Sequence, residues 1–217
     1  MRDPAARWLP SPNFAPGRQG ACVRTLIVHG TFSVTEARSL DYLLRSKRPH
    51  RVSSHYLITY AGELLQLVSE ADTAWHAGRS AWGDDVALNR LSVGVEISNR
   101  GPHEAYGEVQ LVALEGLLGR LQERFALGAE SVLGHSDVAP GRKDDPGAHF
   151  PWRRLEGAGL AAAWRPGGVG VEPLVALRAG GGRGEDAEIV RAFQRRYLPE
   201  GVSGRLDART RARICGG

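Results

Sequence analysis

A chain of 217 residues, 42% hydrophobic and 24% charged, is long enough to bury a proper core with room for a small second unit, and its composition is that of an ordinary soluble globular protein. A net charge of +4 points only weakly to an anionic partner, and no nucleic-acid partner is expected. Cys22 and Cys215 lie near opposite ends, which excludes a disulfide framework and leaves buried free thiols as the expectation, and the lack of any run of about eighteen apolar residues excludes a membrane-spanning helix.

Residues 1–20 carry four prolines and no periodicity, and read as an extended arm lying over the domain. They contain no apolar run of signal-peptide length. A cytoplasmic location is therefore expected, with the periplasm as the alternative if a leader has been removed. TLIVHG (Thr25–Gly30) is a β-branched strand ending on His29. Ser33-Val-Thr-Glu36 has capping-box spacing and opens a helix with Ala37, Leu40, Leu43 and Leu44 on one face. A basic SKRPHR turn follows. HYLITY and ELLQLV then form a hairpin about Ala61-Gly62. AWHAGRSAWGDDVALN is irregular. LSVGVEIS alternates, with Val93, Val95 and Ile97 on one side and Gly94, Glu96 and Ser98 on the other. Leucines at helical spacing from Val109 to Phe125 predict the longest helix. An apolar SVL strand then leads into His135.

Strands alternating with two amphipathic helices predict an α/β domain with a central mixed β-sheet flanked by helices, over residues 21–165. A short Ala-rich helix is expected at 158–164 and a linker at 166–172. Three short helices over 173–217 make a small C-terminal bundle, with Asp207 as an N-cap. A monomer is favoured.

The stretch from Val132 to Trp152, VLGHSDVAPGRKDDPGAHFPW, concentrates the chemistry. Its prolines and glycines exclude helix and ladder after His135, and a polar loop at a strand end is where a site is built on a rigid scaffold. If the strands ending on His29 and His135 are parallel neighbours, both imidazoles emerge at the same sheet edge. A zinc site that keeps one coordination position open uses three protein ligands. His29, His135 and Asp145 supply such a set, with Asp144 as the alternative to Asp145. Asp137 is expected to cap or orient the loop. Glu96 is an acid in an otherwise apolar strand, which is costly unless it is paired or functional. Lys143 either serves an oxyanion or is a solvated loop lysine.

The pieces LIVHG, SSHYLI, AWHAG, LNRLSVGVEISN and VLGHSDVAPGRKDDPGAHFPW closely resemble, in order, the zinc-dependent type 2 N-acetylmuramoyl-L-alanine amidases, relatives of peptidoglycan recognition proteins and phage amidase-lysozymes. The resemblance runs from about Ser11 to Trp164. It implies one zinc ion bound by His29, His135 and Asp145, with Glu96 as the base and Lys143 as the oxyanion partner. Where the phage branch has a tyrosine before the HYLI-type histidine, this chain has Ser54, which leaves the base role to Glu96. Gly30 stands where the family usually has an aromatic, which would loosen the pocket wall. The short connection from His29 to His55 and the FPW ending look most like bacterial enzymes that accept anhydromuramoyl peptides, implying muropeptide cleavage in peptidoglycan recycling. Trp75, His76 and Asn89 are candidate contacts for sugar or stem peptide, against a packing role. Arg79 and Arg142 are candidates for its carboxylates. The tail DAEIVRAFQRRYLPEGVSGRLDARTRARI resembles a three-helix peptidoglycan-binding domain, for which wall binding and packing both stand open. A non-catalytic recognition module would be expected to lack a ligand, and none is missing here. A periplasmic wall-remodelling amidase is the other alternative.

Overall fold

Period-two alternation in Leu26–His29 and Val93–Glu96 divides each strand into an apolar side and a side that ends on a polar group. In the computed structural model, which describes residues 1–45, 51–168 and 170–216, these two strands are interior neighbours in the sheet. Most of the SKRPHR turn lies outside the described residues. In chain order the strands are β1 (Arg7–Trp8), β2 (Phe14–Ala15), β3 (Thr25–Gly30), β4 (Tyr56–Ile58), β5 (Leu64–Gln66), β6 (Thr73–Ala74), β7 (Ala81–Trp82), β8 (Asp85–Val86), β9 (Ser92–Ile97) and β10 (Val132–Gly134). The helices are α1 (Glu36–Arg45), α2 (Glu108–Phe125), α3 (His135–Val138), α4 (Trp152–Gly157), α5 (Pro173–Ala179), α6 (Asp186–Tyr197) and α7 (Ala208–Cys215).

The main sheet has the order β1-β5-β4-β9-β3-β10. Its neighbours are parallel except for the β4–β5 hairpin. The expected mixed α/β sheet is therefore present, with β3 and β10 side by side. One face carries Leu26, Val28, Val93, Val95, Ile97 and Val132 and packs against the leucines of α2. Burying each such leucine contributes roughly 1.5–3 kcal/mol. The opposite face carries Ile27 and Leu133, packed with Ala77, Leu88 and Val138, and a second cluster of Leu43, Leu57, Leu65 and Leu67 under α1. His29 and Glu96 stand cross-strand from one another in β3 and β9. No helix among the described residues is long and apolar enough to cross a membrane.

Several local expectations need correction. The N-terminal arm contributes ladder pairing of its own: Arg7–Trp8 extends the sheet edge against β5, and Phe14–Ala15 pairs with β6. Asp3 is buried there, held by Arg120. The Ser33 capping box does not form. Thr35 Oγ1 accepts from the Arg38 N–H, and the Glu36 carboxylate accepts from the Tyr60 N–H at 2.8 Å, tying α1 to the sheet. Ala37 is exposed and Ser39 takes the inward place. The helix expected at 158–164 lies wholly before that span, as α4, because the chain turns into a left-handed conformation at Gly159 (φ 73°). Both cysteines are free, but Cys22 is exposed. The C-terminal helices α5–α7 enclose an apolar cluster that includes Leu177, Ile189, Phe193 and Ile214, and Asp207 caps α7 by accepting from the Thr210 N–H.

Candidate metal centre

His29 and His135 sit at the C-terminal ends of two adjacent parallel strands, where open α/β sheets place their sites. The segment after β10 turns into α3, against the expectation that no helix follows. Asp137 Oδ2 accepts from the Gly134 N–H at 2.8 Å, and this bond starts the helical turn. The loop then closes on itself: the Ser136 N–H donates to the Asp145 carbonyl at 2.9 Å, which returns Asp145 to His135. Nδ1 of His29 lies 2.9 Å from Nδ1 of His135 and 3.1 Å from Oδ2 of Asp145, and His135 Nδ1 lies 3.0 Å from that oxygen. All three side chains are buried. Asp144 is excluded from this cluster because its carboxylate faces outward and pairs with Arg195 at 2.5 Å.

The hydrogen bonds behind the imidazoles assign their tautomers. Ser92 Oγ donates to the Leu88 carbonyl at 2.6 Å, so its one proton is used there. His76 Nε2, 3.1 Å from Ser92 Oγ, must therefore donate to it. That leaves His76 Nδ1 as the acceptor of His29 Nε2–H at 2.9 Å, and a lone pair on His29 Nδ1. His135 Nε2 donates to the Ala77 carbonyl at 3.2 Å, which likewise leaves a lone pair on His135 Nδ1. Two imidazole lone pairs and a carboxylate oxygen thus converge with no proton among them. Such a set repels itself unless a cation lies between, and the mixed N/O donors suit a borderline ion. His29, His135 and Asp145 could hold a metal ion, and among the described residues they are the cluster that fits.

The charges agree with that reading. Burial, followed by the neighbouring His135, lowers the His29 pKa to about 4, so its imidazole is neutral at neutral pH. Glu96 is the counterpart. Burial, reinforced by Asp145 and opposed by Lys143, raises it to about 8, and its Oε2 is buried without a hydrogen-bond partner.

A cavity of about 640 Å³ opens over the cluster, lined by Glu96, Lys143, Trp75, His76, Asn89 and Arg142 together with His29, His135 and Asp145. Arg79 is not among its lining residues; its carbonyl instead accepts from Arg142 Nε at 3.0 Å. Arg142 also donates to the Ala77 carbonyl, so much of its guanidinium is committed to backbone. Asn89 spends its side-chain oxygen on the N–H groups of His76, Ala77 and Gly78, which makes it the clamp of the WHAG loop. His76 packs behind His29, over Gly94, where any Cβ would run into the imidazole ring. Trp75 is half-buried at the rim beneath the Arg51 guanidinium. Ser54 is turned away, donating to the Gly94 carbonyl at 2.8 Å.

Gly30 does not loosen the wall as expected, because the hydroxyl of Tyr106 occupies the place a Cβ would take. Tyr106 in turn donates to the Pro146 carbonyl at 2.8 Å, bracing the residue next to Asp145. Neither Tyr106 nor Ser92 was singled out by sequence reasoning. Tyr106 lies in a loop with no periodicity, and Ser92 opens a strand whose other residues explained it fully.

A family profile described as N-acetylmuramoyl-L-alanine amidase matches residues 18–148. The chain is 32% identical over 226 residues to the N-acetylmuramoyl-L-alanine amidase AmiD of Escherichia coli K12, covering 88% of this chain and 80% of that protein. It is 38% identical over 105 residues to the 1,6-anhydro-N-acetylmuramyl-L-alanine amidase AmpD of Citrobacter freundii, covering 48% of this chain and 56% of that protein. Among solved structures, E. coli AmiD in complex with anhydro-N-acetylmuramic acid-L-Ala-D-gamma-Glu-L-Lys matches with a TM-score of 0.77 at 31% identity, over 92% of this chain and 88% of that chain. AmpDh3 from Pseudomonas aeruginosa, in complex with anhydromuramic pentapeptide, matches with a TM-score of 0.79 at 30% identity, over 99% and 96%.

Proposed function

This chain belongs to the N-acetylmuramoyl-L-alanine amidase family, and from that premise we propose that it hydrolyses the amide between the lactyl group of an anhydromuramoyl sugar and L-Ala, using zinc held by His29, His135 and Asp145. The observation that carries this reading is the convergence of two imidazole lone pairs and a buried carboxylate on one point at the floor of a cavity. Zinc bound there supplies Lewis acidity toward the scissile carbonyl and acidifies a water. The likeness to AmiD and AmpDh3 in complex with anhydromuramoyl peptides supports the substrate class.

The protein's own groups account for the proton transfers. Glu96 lines the cavity, one of its carboxylate oxygens is buried without a partner, and burial raises its pKa above the ordinary carboxyl range, which suits a group that takes and gives a proton. It takes the proton of the attacking water and delivers it to the leaving amine of L-Ala. Lys143, on the same cavity wall, steadies the oxyanion. The cavity wall at Trp75 offers an apolar face to the sugar or peptide.

Incubation with an anhydro-muropeptide should release free stem peptide. A chelator should abolish the release and added zinc restore it; product formation unaffected by chelation would refute the metal role. The hydrogen-bond chain behind His29 adds a second expected result. His76→Phe keeps a ring over Gly94 but leaves the His29 Nε2–H without its acceptor. Zinc affinity should fall roughly 10- to 100-fold, the usual loss on removing a partner that orients a ligand, as read by competition with a chromophoric chelator.

A further inference from the structure

The C-terminal helices touch the ligand loop at three places. Arg196 of α6 is 7% exposed and donates from Nη1 to Asp137 Oδ2 at 2.9 Å and to the Val132 carbonyl at 3.2 Å. Its guanidinium lies 4.0 Å from the centre of the Trp152 ring. The same Asp137 oxygen accepts the Gly134 N–H that opens α3, immediately before His135. Arg195, the preceding residue, pairs with Asp144, which stands between Lys143 and Asp145. Between these two points α6 lies directly against the loop, since a Cβ on Gly141 would meet the Glu188 side chain at 2.8 Å.

From this placement we propose that α6 is a built-in part of the amidase site, and that Arg196 is a positioning residue which, through Asp137 and with Arg195 on Asp144, sets the loop carrying His135, Lys143 and Asp145. The inference rests on the zinc reading above and deepens it. A carboxylate oxygen shared between a backbone N–H and a guanidinium has its direction fixed from two sides, and charge-assisted hydrogen bonds of this kind hold geometry more firmly than neutral ones. The loop between its anchors contains Pro140 and Gly141 and has little regular structure of its own. Precision at His135 and Asp145 therefore depends on an element some fifty residues further along the chain. The C-terminal helices then matter for cleavage of a small soluble muropeptide, with no wall polymer present.

The test compares four full-length proteins. Arg196→Met keeps an aliphatic stem over Trp152 and removes the charge. Its zinc affinity should weaken by about 10- to 100-fold, and at saturating zinc kcat should fall with little change in KM. Arg195→Ala, whose partner Asp144 is largely exposed, should weaken zinc by about threefold, the scale of an exposed pair. Arg124→Ala is the control. It breaks a largely buried ion-pair group with Glu70 and Asp3, which joins α2 to the N-terminal arm and does not touch the loop. It should lower the melting temperature while leaving zinc affinity and kcat at wild-type values. Wild-type zinc affinity and kcat in a folded Arg196→Met protein would overturn the proposal. If Arg196→Met does not fold, Arg195→Ala decides alone, and wild-type affinity there overturns it. A wild-type protein that neither binds zinc nor releases stem peptide would instead refute the functional reading.

Discussion

Glu96→Gln should retain zinc at one ion per chain and lose turnover by roughly 10²- to 10⁴-fold, the range a positioned general base contributes. The amide has the shape of the carboxyl and can still accept a hydrogen bond, but it cannot take a proton from water. Steady-state release of stem peptide, alongside elemental analysis, checks both halves; turnover near wild type would remove Glu96 from the base role. The same variant has a pH signature. In the fold Glu96 is raised to about 8 from an ordinary value of 4.5. A carboxyl shifted upward binds its proton more tightly in the folded than in the unfolded chain. Its stabilising contribution is complete below pH 4.5 and is lost as the pH rises through 8. Glutamine at this position has no such loss. In metal-free protein, the melting temperature of Glu96→Gln relative to wild type should therefore rise from pH 5 to pH 9. A constant difference across that range would show that the Glu96 carboxyl is not held protonated by its surroundings.

Asp145→Ala should abolish tight zinc binding and, with it, activity. Asp145 supplies the negative charge in the ligand set, and its oxygen lies within 3.1 Å of both imidazole nitrogens. Two neutral imidazoles alone leave the ion short of a third protein ligand and of charge compensation. Elemental analysis after gel filtration should fall from near one zinc per chain to near none, and stem-peptide release should drop by several orders of magnitude. Asp144→Ala is the internal comparison. Its carboxylate pairs outward with Arg195, so it should retain zinc under the same washing. Equal zinc loss in both variants would mean that the loop, and not the Asp145 ligand atom, had been disturbed.

Much of this site is legible in the amino-acid sequence because its logic is local. Alternation along LSVGVEIS is enough to put Glu96 on the side away from Val93, Val95 and Ile97, and apolar runs ending on His29 and on His135 mark strand ends carrying a polar group. The family resemblance adds the identity of the three ligands and of Glu96 and Lys143. Local patterns cannot state which partner satisfies a given polar atom when that partner is brought in by folding. Spacing alone kept Asp144 open as an alternative to Asp145; the Arg195 guanidinium, arriving from α6, turns Asp144 outward. It offered His76 and Asn89 as pocket groups, whereas the fold uses one to set the His29 tautomer and the other to clamp three backbone N–H groups. Composition and spacing therefore determined the sheet, its apolar faces and the residues at its edge. The tertiary structure decided which nitrogen faces the cavity and what holds the ligand loop. Side-chain periodicity is a property of neighbours in the chain, but a hydrogen bond across a hundred residues exists only once the strands have paired in register.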